Sequence, residues 1–298
     1  MLNSLFPILL FISLGYFAKR VGIFEERDSK ILIDFIIYFS FPAIVFSNIY
    51  FLELDTSLFD MIAAGWIVLF AALLFSFLFT RMMGYDRRTS IVFILMASFG
   101  NTAFVGIPFV DAFYQSEGVR FAILYDQFVS FILVSLIAPL LVSLSGGEFS
   151  FRAILKRIFL FPPFIALLVA VILKPFSLPS FLFSGLDILG STVVPLALFA
   201  VGFGLNFEEI KSSFSKVLPI LSIKIIIIPI LFIIGLKFLG ISFTLEWKVA
   251  VMQSAMPPMV YAAVIAMRAG LDKGIAISSV GLGVVVALLV LPIYYLVL

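Results

Sequence analysis

The chain of 298 residues contains no cysteine and no histidine. The first absence excludes disulfides and thiol chemistry. The second removes the side chain that most often carries protons near neutrality and binds metals, so neither a metal site nor a cofactor is expected. Charge is scarce as well. Asp, Glu, Lys and Arg make up 12% of the residues, about half the share of a soluble domain. The formal net charge of +2 is too small to imply a nucleic-acid partner.

What fills the chain instead is apolar: 63% of residues are hydrophobic, 37 are Phe, and the mean hydropathy is +1.27. Apolar runs of roughly 20 residues recur along the whole length, which reads as an all-α polytopic membrane protein whose main partner is the lipid bilayer. A spanning β-barrel needs alternating segments of about 10 residues, and runs such as IKIIIIPILFIIGL do not alternate. Residues 1–18 have the apolar stretch of a signal peptide, but no positive charge precedes it and Lys19-Arg20 follow it. They read as a first spanning helix with its N-terminus outside.

Ten transmembrane helices are expected, at about 3–19, 29–49, 58–82, 89–113, 118–143, 152–174, 182–205, 215–239, 246–268 and 273–297, with short connections and no soluble domain. Fourteen Lys and Arg fall in the loops after helices 1, 3, 5, 7 and 9, and four on the other side. The positive-inside rule then places those loops in the cytoplasm and both termini outside, in the plasma (inner) membrane.

An internal repeat is visible. Met96-x-Ser98 returns as Met252-x-Ser254, Gly118 as Gly274, Pro7 as Pro162 and Pro42 as Pro195, at offsets of 153 to 156 residues. These landmarks divide the chain into two five-helix repeats, 1–148 and 149–298. Five is odd, so the second repeat enters the bilayer inverted, a plan common in secondary transporters. Helix 4 then corresponds to helix 9, and Asn101 to Pro257. The two local sequences, SFGNTAFVGIP and SAMPPMVYAAV, both break helices in mid-membrane. Gly100 loosens the first, and Pro257 and Pro258 lack N–H groups in the second. Backbone groups freed in hydrocarbon cost several kcal/mol unless satisfied, so such breaks are buried in protein or line a cavity. Half-helix N-termini pointing at the midplane favour an anion, and the Asn101 amide and Thr102 hydroxyl supply donors for a carboxylate. The competing explanation is a pair of structural proline kinks.

GNTAFVGIP resembles the corresponding segment of the auxin efflux carrier family, which includes bacterial permeases and the plant PIN transporters. MPPMVYAAVIAMRAGLD resembles, more loosely, that family's second crossover segment. The resemblance spans the chain. It implies an inverted 5+5 fold similar to bile-acid symporters and NhaA-type antiporters, with two broken helices crossing. It further implies a substrate carboxylate held by Asn101, substrates such as indole-3-acetate or a dicarboxylate, and often a homodimer. The long cytoplasmic loop of plant members is absent. The Pro257-Pro258 pair replaces a single proline followed by a polar residue.

The expected function is thus transport of a small organic anion by alternating access, at a site made of Gly100, Asn101, Thr102, Gln253, Ser254, Pro257, Pro258 and Met259. The alternative is a Na⁺-coupled organic-anion symporter, with Gln253 and Ser254 beside freed carbonyls that bind the ion. Asp126, about eight residues into helix 5, is either a coupling proton site or a hydrogen-bonded structural carboxylate. Lys224, about nine residues into helix 8, either snorkels to the surface or touches the substrate. Asp34 at the start of helix 2 meets the helix dipole. An intramembrane enzyme is not expected. Metalloproteases and rhomboid-type proteases need histidine, and the aspartyl type needs Gly-x-Gly-Asp where this chain has Ser184-Gly185-Leu186-Asp187.

Overall fold

The computed structural model describes residues 2–25, 28–52, 56–144, 150–205 and 207–298. The expected boundary between the halves at 148–149, and Arg27 among the cytoplasmic charges, lie outside them. The described residues form helices throughout, with one isolated backbone bridge and no strand. Their arrangement suits an apolar solvent. Large hydrophobic side chains such as Ile67, Phe238 and Leu289 face outward at 70% exposure or more, while Asn101, Asp126, Gln127, Lys224 and Gln253 are at most 3% exposed.

Six helices among the described residues are long and apolar enough to cross a membrane: Ile31–Phe51, Leu58–Met82, Thr102–Ser143, Ser180–Gly204, Ser213–Phe238 and Lys273–Val297. Thr102–Ser143 runs for 42 residues, about 63 Å if straight and twice the hydrocarbon thickness. Gln115, at φ 56° and ψ −164°, breaks it, near the connection expected between helices 4 and 5. Three expected helices are interrupted below spanning length. Residues 89–113 and 246–268 break where the sequence predicts. Residues 152–174 break where it does not, into Phe151–Phe159 and Pro162–Leu173. Pro162 and Pro163 explain this: the residue before a proline is pushed out of the helical region, and Phe161 sits at ψ 117°. The segment Phe151–Phe159 is an amphipathic helix instead, burying Ile154 and Ile158 against Phe131 and Phe164 and leaving Arg152 and Lys156 exposed.

Wide π-helical turns occur at Ile36–Ser40, Thr102–Gly106, Tyr125–Phe131 and Ser222–Ile227. Three of them precede Pro42, Pro108 and Pro229, each at the start of the following α-helix. A proline cannot bond the carbonyl four residues back and its ring pushes that carbonyl away. The carbonyls concerned belong to Tyr38, Phe104 and Ile225, all inside the wide turns. Tyr294 Oη donates to the Ile225 carbonyl at 2.8 Å, and in Tyr125–Phe131, the turn without a following proline, Trp66 Nε1 donates to the Phe128 carbonyl at 2.8 Å. Each turn also carries a buried polar residue: Ser40, Thr102, Asp126 and Lys224. The turns thus bring polar groups into an apolar core, a frequent use of π-helical geometry.

The helix Arg87–Ser98 begins at Asp86, whose carboxylate accepts from Arg88 N at 2.9 Å, Thr89 N at 3.1 Å and Thr89 Oγ1 at 2.6 Å. The Thr89 hydroxyl first, then the backbone N–H groups, hold the carboxyl below its usual range. A lowered folded-state pKa stabilises above the unfolded pKa, and that contribution is lost as pH falls through the folded value. Asp86→Ala is expected to cost about 0.5–2 kcal/mol at neutral pH. The difference from the parent protein should shrink as pH drops below 3.8, as read by thermal unfolding across a pH series.

Candidate functional site

The two interrupted helices meet at their breaks. The helix Arg87–Ser98 stops at Phe99, and the helix Leu245–Ser254 stops at Ala255. Between them Gly100 and Pro258 form an antiparallel backbone bridge. Asn101 N donates to the Pro257 carbonyl at 2.7 Å, and Met259 N donates to the Phe99 carbonyl at 2.9 Å. Two backbone groups orphaned by each break are therefore satisfied by the other break, which is why neither interruption is tolerable alone in an apolar core. Both hydrogen bonds run through the flanking residues, so the bridge does not use the N–H at position 258 and a proline is tolerated there. On the far side Gly283 lies beneath the prolines, where an added Cβ would stand 2.6 Å from Pro258 Cδ. The ends of the two interrupted helices are also tied, by a hydrogen bond from Arg88 Nη2 to the Gly270 carbonyl.

Asn101 has a divided role. Its Oδ1 accepts from Phe104 N at 3.2 Å and caps the helix that restarts there. This contact assigns the oxygen to the helix and leaves the amide nitrogen as the free donor. Nδ2 is buried and has no hydrogen-bond partner among the described residues. The neighbouring Thr102 Oγ1 donates to Asp126 Oδ1 at 2.5 Å, and Gln127 Nε2 donates to Asp126 Oδ2 at 2.8 Å. Both carboxylate oxygens of Asp126 are thus engaged. The Thr102 hydroxyl gives its one proton to Asp126.

A cavity of about 540 Å³ opens at Asn101. Asp126 and Met259 also line it, and its walls are aromatic: Tyr38, Phe41, Phe104, Phe131, Phe161 and Tyr261. Two exposed cations, Lys156 and Arg268, line it as well. Of the residues the sequence singles out, Asn101, Asp126 and Met259 share this cavity. Gly100, Thr102, Gln253 and Ser254 line a second cavity of about 20 Å³ together with Lys224. Pro257 and Pro258 form the backbone contact and line neither cavity. Gln253 bridges the breaks, with Nε2 donating to the carbonyls of Thr102 and Ala122, each at 3.2 Å. Gly106 makes room for it, since a Cβ there would stand 2.9 Å from Gln253 Cδ. Lys224 does not snorkel. It is 3% exposed and its ammonium donates to the Ser254 carbonyl.

The aromatic wall and the two cations are what sequence reasoning missed. Phenylalanine is so common in this chain that no single ring stands out, and Lys156 and Arg268 count in the sequence only as loop charges. The amphipathic pattern FRAILKRIF, once separated from Pro162, is the one local signal that places Lys156 on a surface helix. Among the described residues no three or more Asp or Glu gather in a metal-binding group.

A family profile described as "Membrane transport protein" matches residues 1–295. The chain is 28% identical to an "Uncharacterized transporter" of Methanothermobacter thermautotrophicus over 300 residues, covering 99% of this chain and 98% of that protein. It is 26% identical to an "Uncharacterized transporter" of Methanocaldococcus jannaschii over 298 residues, covering 96% and 95%.

Proposed function

The chain belongs to the membrane transport protein family, that of the auxin efflux carriers, and from this premise we propose that it is a secondary transporter of a small organic carboxylate. The substrate's carboxylate accepts hydrogen bonds from Asn101 Nδ2, and its apolar body lies against the aromatic wall. Lys156 and Arg268 draw the anion in. The ten helices form two inverted five-helix repeats. The two broken helices, joined at the Gly100–Pro258 bridge and by Arg88, move as one unit between the faces of the membrane. Thr102 and Asp126 set the edge of the site, with Asp126 holding the Thr102 hydroxyl in place.

The observation that carries this reading is Asn101: its amide nitrogen is buried without a partner among the described residues, and the residue lines a cavity that also bears two cations. A buried donor left unpaired costs about 1–3 kcal/mol, and an anionic acceptor relieves that cost with a charge-assisted bond. The paired breaks support the alternating-access mechanism, because discontinuous helices at corresponding points of two repeats are how transporters build a midplane site.

Uptake by the purified protein in liposomes tests the reading, with labelled malate, malonate and indole-3-acetate against a neutral sugar and an organic amine. At least one of the acids is expected to accumulate above empty liposomes, and neither the sugar nor the amine. Uptake of the amine alone would sink the assignment to anions. Uptake that stops when choline replaces Na⁺ would instead indicate a Na⁺-coupled symporter.

The cations make a separate prediction. Replacing both by Lys156→Gln and Arg268→Gln should raise KM by roughly 5–20-fold at low salt while kcat changes little, because exposed charges steer the substrate rather than hold it. The KM difference should contract as ionic strength rises. A KM that stays put would remove the pair from the transport path.

A further inference from the structure

Lys224 has no part in the transport reading above. Its stem leaves the wide turn Ser222–Ile227 and ends in the core, where the ammonium donates to the carbonyl of Ser254, the last residue of the helix Leu245–Ser254. It also lies against Gly100, where an added Cβ would stand 3.1 Å from both Cε and Nζ. One cation therefore touches both breaks. Its hydrogen-bond partner is a neutral carbonyl, at a helix end whose free carbonyls carry partial negative charge.

The surroundings are rich in oxygen. Ser98, Thr102, Ser130, Gln253 and Ser254 line the same cavity of about 20 Å³. Ser98 Oγ and Gln253 Oε1 are buried there without a hydrogen-bond partner among the described residues. Neutral oxygens and a half-helix C-terminus are the groups with which broken-helix transporters hold a monovalent cation. The space left beside the lysine admits about one water molecule.

We infer that the Lys224 ammonium is the resident cation of an oxygen-lined monovalent-cation site at the crossing. It is a tethered counter-charge that holds the two breaks together and frees the crossing from any need for dissolved Na⁺. A lysine merely tolerated in the core would behave in the opposite way, because replacing a buried charge by an apolar residue of similar volume is often neutral or stabilising.

The test is thermal unfolding of the purified full-length protein in NaCl, in choline chloride, and in choline chloride with ethylammonium chloride. The parent protein should show the same Tm in all three. Lys224→Met keeps most of the stem volume and removes the charge, and should melt several degrees lower in each. Lys224→Ala opens the space, and should be destabilised in choline but restored saturably by ethylammonium or Na⁺. If it cannot be recovered in choline, purification in ethylammonium should yield it. A methionine variant as stable as the parent overturns the inference. So does an alanine variant that ignores both cations or is not recovered with them, or a parent protein stabilised by Na⁺. None of these readouts needs a substrate, so a failure of the transport reading and a failure of this one are separable.

Discussion

Asn101→Ala protein reconstituted in liposomes should lose transport of whichever organic acid the parent protein carries, by roughly 10- to 100-fold in kcat/KM. The size follows from the loss of a hydrogen bond to a charged acceptor, about 1.5–3 kcal/mol, at about 1.4 kcal/mol per factor of ten. The same substitution removes the cap on Phe104 N, which is worth about 1 kcal/mol of helix stability. A loss of uptake could then be mistaken for local unfolding, so a second variant is needed. Asn101→Asp keeps an acceptor for Phe104 N but replaces the donor NH₂ with an oxygen that repels a carboxylate. It should melt close to the parent protein and still fail to transport. Unaltered uptake by Asn101→Ala, or normal uptake by Asn101→Asp, would remove Asn101 from the substrate's path.

The largest expected effect on stability lies away from the crossing, where the helix Leu2–Val21 packs on Val193–Gly204. Each contributes a glycine to the contact. A Cβ on Gly202 would fall on the Ile12 carbonyl and stand 2.8 Å from Ile12 Cα, and one on Gly15 would fall on the Phe199 carbonyl and stand 2.9 Å from Phe203 N. These obstacles are backbone, so no side-chain rotation relieves them and the helices must separate. In a bilayer, close contact between small residues is a principal source of helix association. Gly202→Val should therefore cost about 3 kcal/mol, at the upper end of overpacking penalties, and appear as a depressed Tm and aggregation on size exclusion. Gly235 is the internal control. It lies within the helix Ile228–Phe238 with nothing within 4 Å of a built Cβ, so Gly235→Ala should be neutral or stabilising by up to about 1 kcal/mol. A Gly202→Val protein that melts with the parent would show that these two helices do not meet as described.

Membership of a membrane transport family was legible in composition and in a few short strings. So were the two breaks, because a glycine, an amide or a pair of prolines acts on the backbone within one turn. The extra break at Phe161 was legible in principle too. The residue before Pro162-Pro163 carries the signal, but an apolar stretch of spanning length outweighed it. The π-helical turns were half legible. Pro42, Pro108 and Pro229 mark three of them, whereas Tyr125–Phe131 has no proline of its own and depends on Trp66 reaching the Phe128 carbonyl from another helix.

Sequence by itself determined the solvent, the class of fold and the place where the helices fail, because these depend on each residue's affinity for water and on backbone chemistry within a few positions. Tertiary structure alone decided what those failures do. It paired Gly100 with Pro258, engaged the Asn101 oxygen and left its nitrogen unpartnered among the described residues, and brought Tyr38, Phe161 and Arg268 to one cavity. It also buried Lys224 against Ser254, where the sequence left snorkelling open. The physical reason is geometric. Successive side chains on a helix point about 100° apart, so which of them meet across a cavity depends on how each helix is rotated and tilted. Rotation and tilt are set by the close packing of all the helices together, as at Gly15 and Gly202, and no local stretch of sequence carries that information.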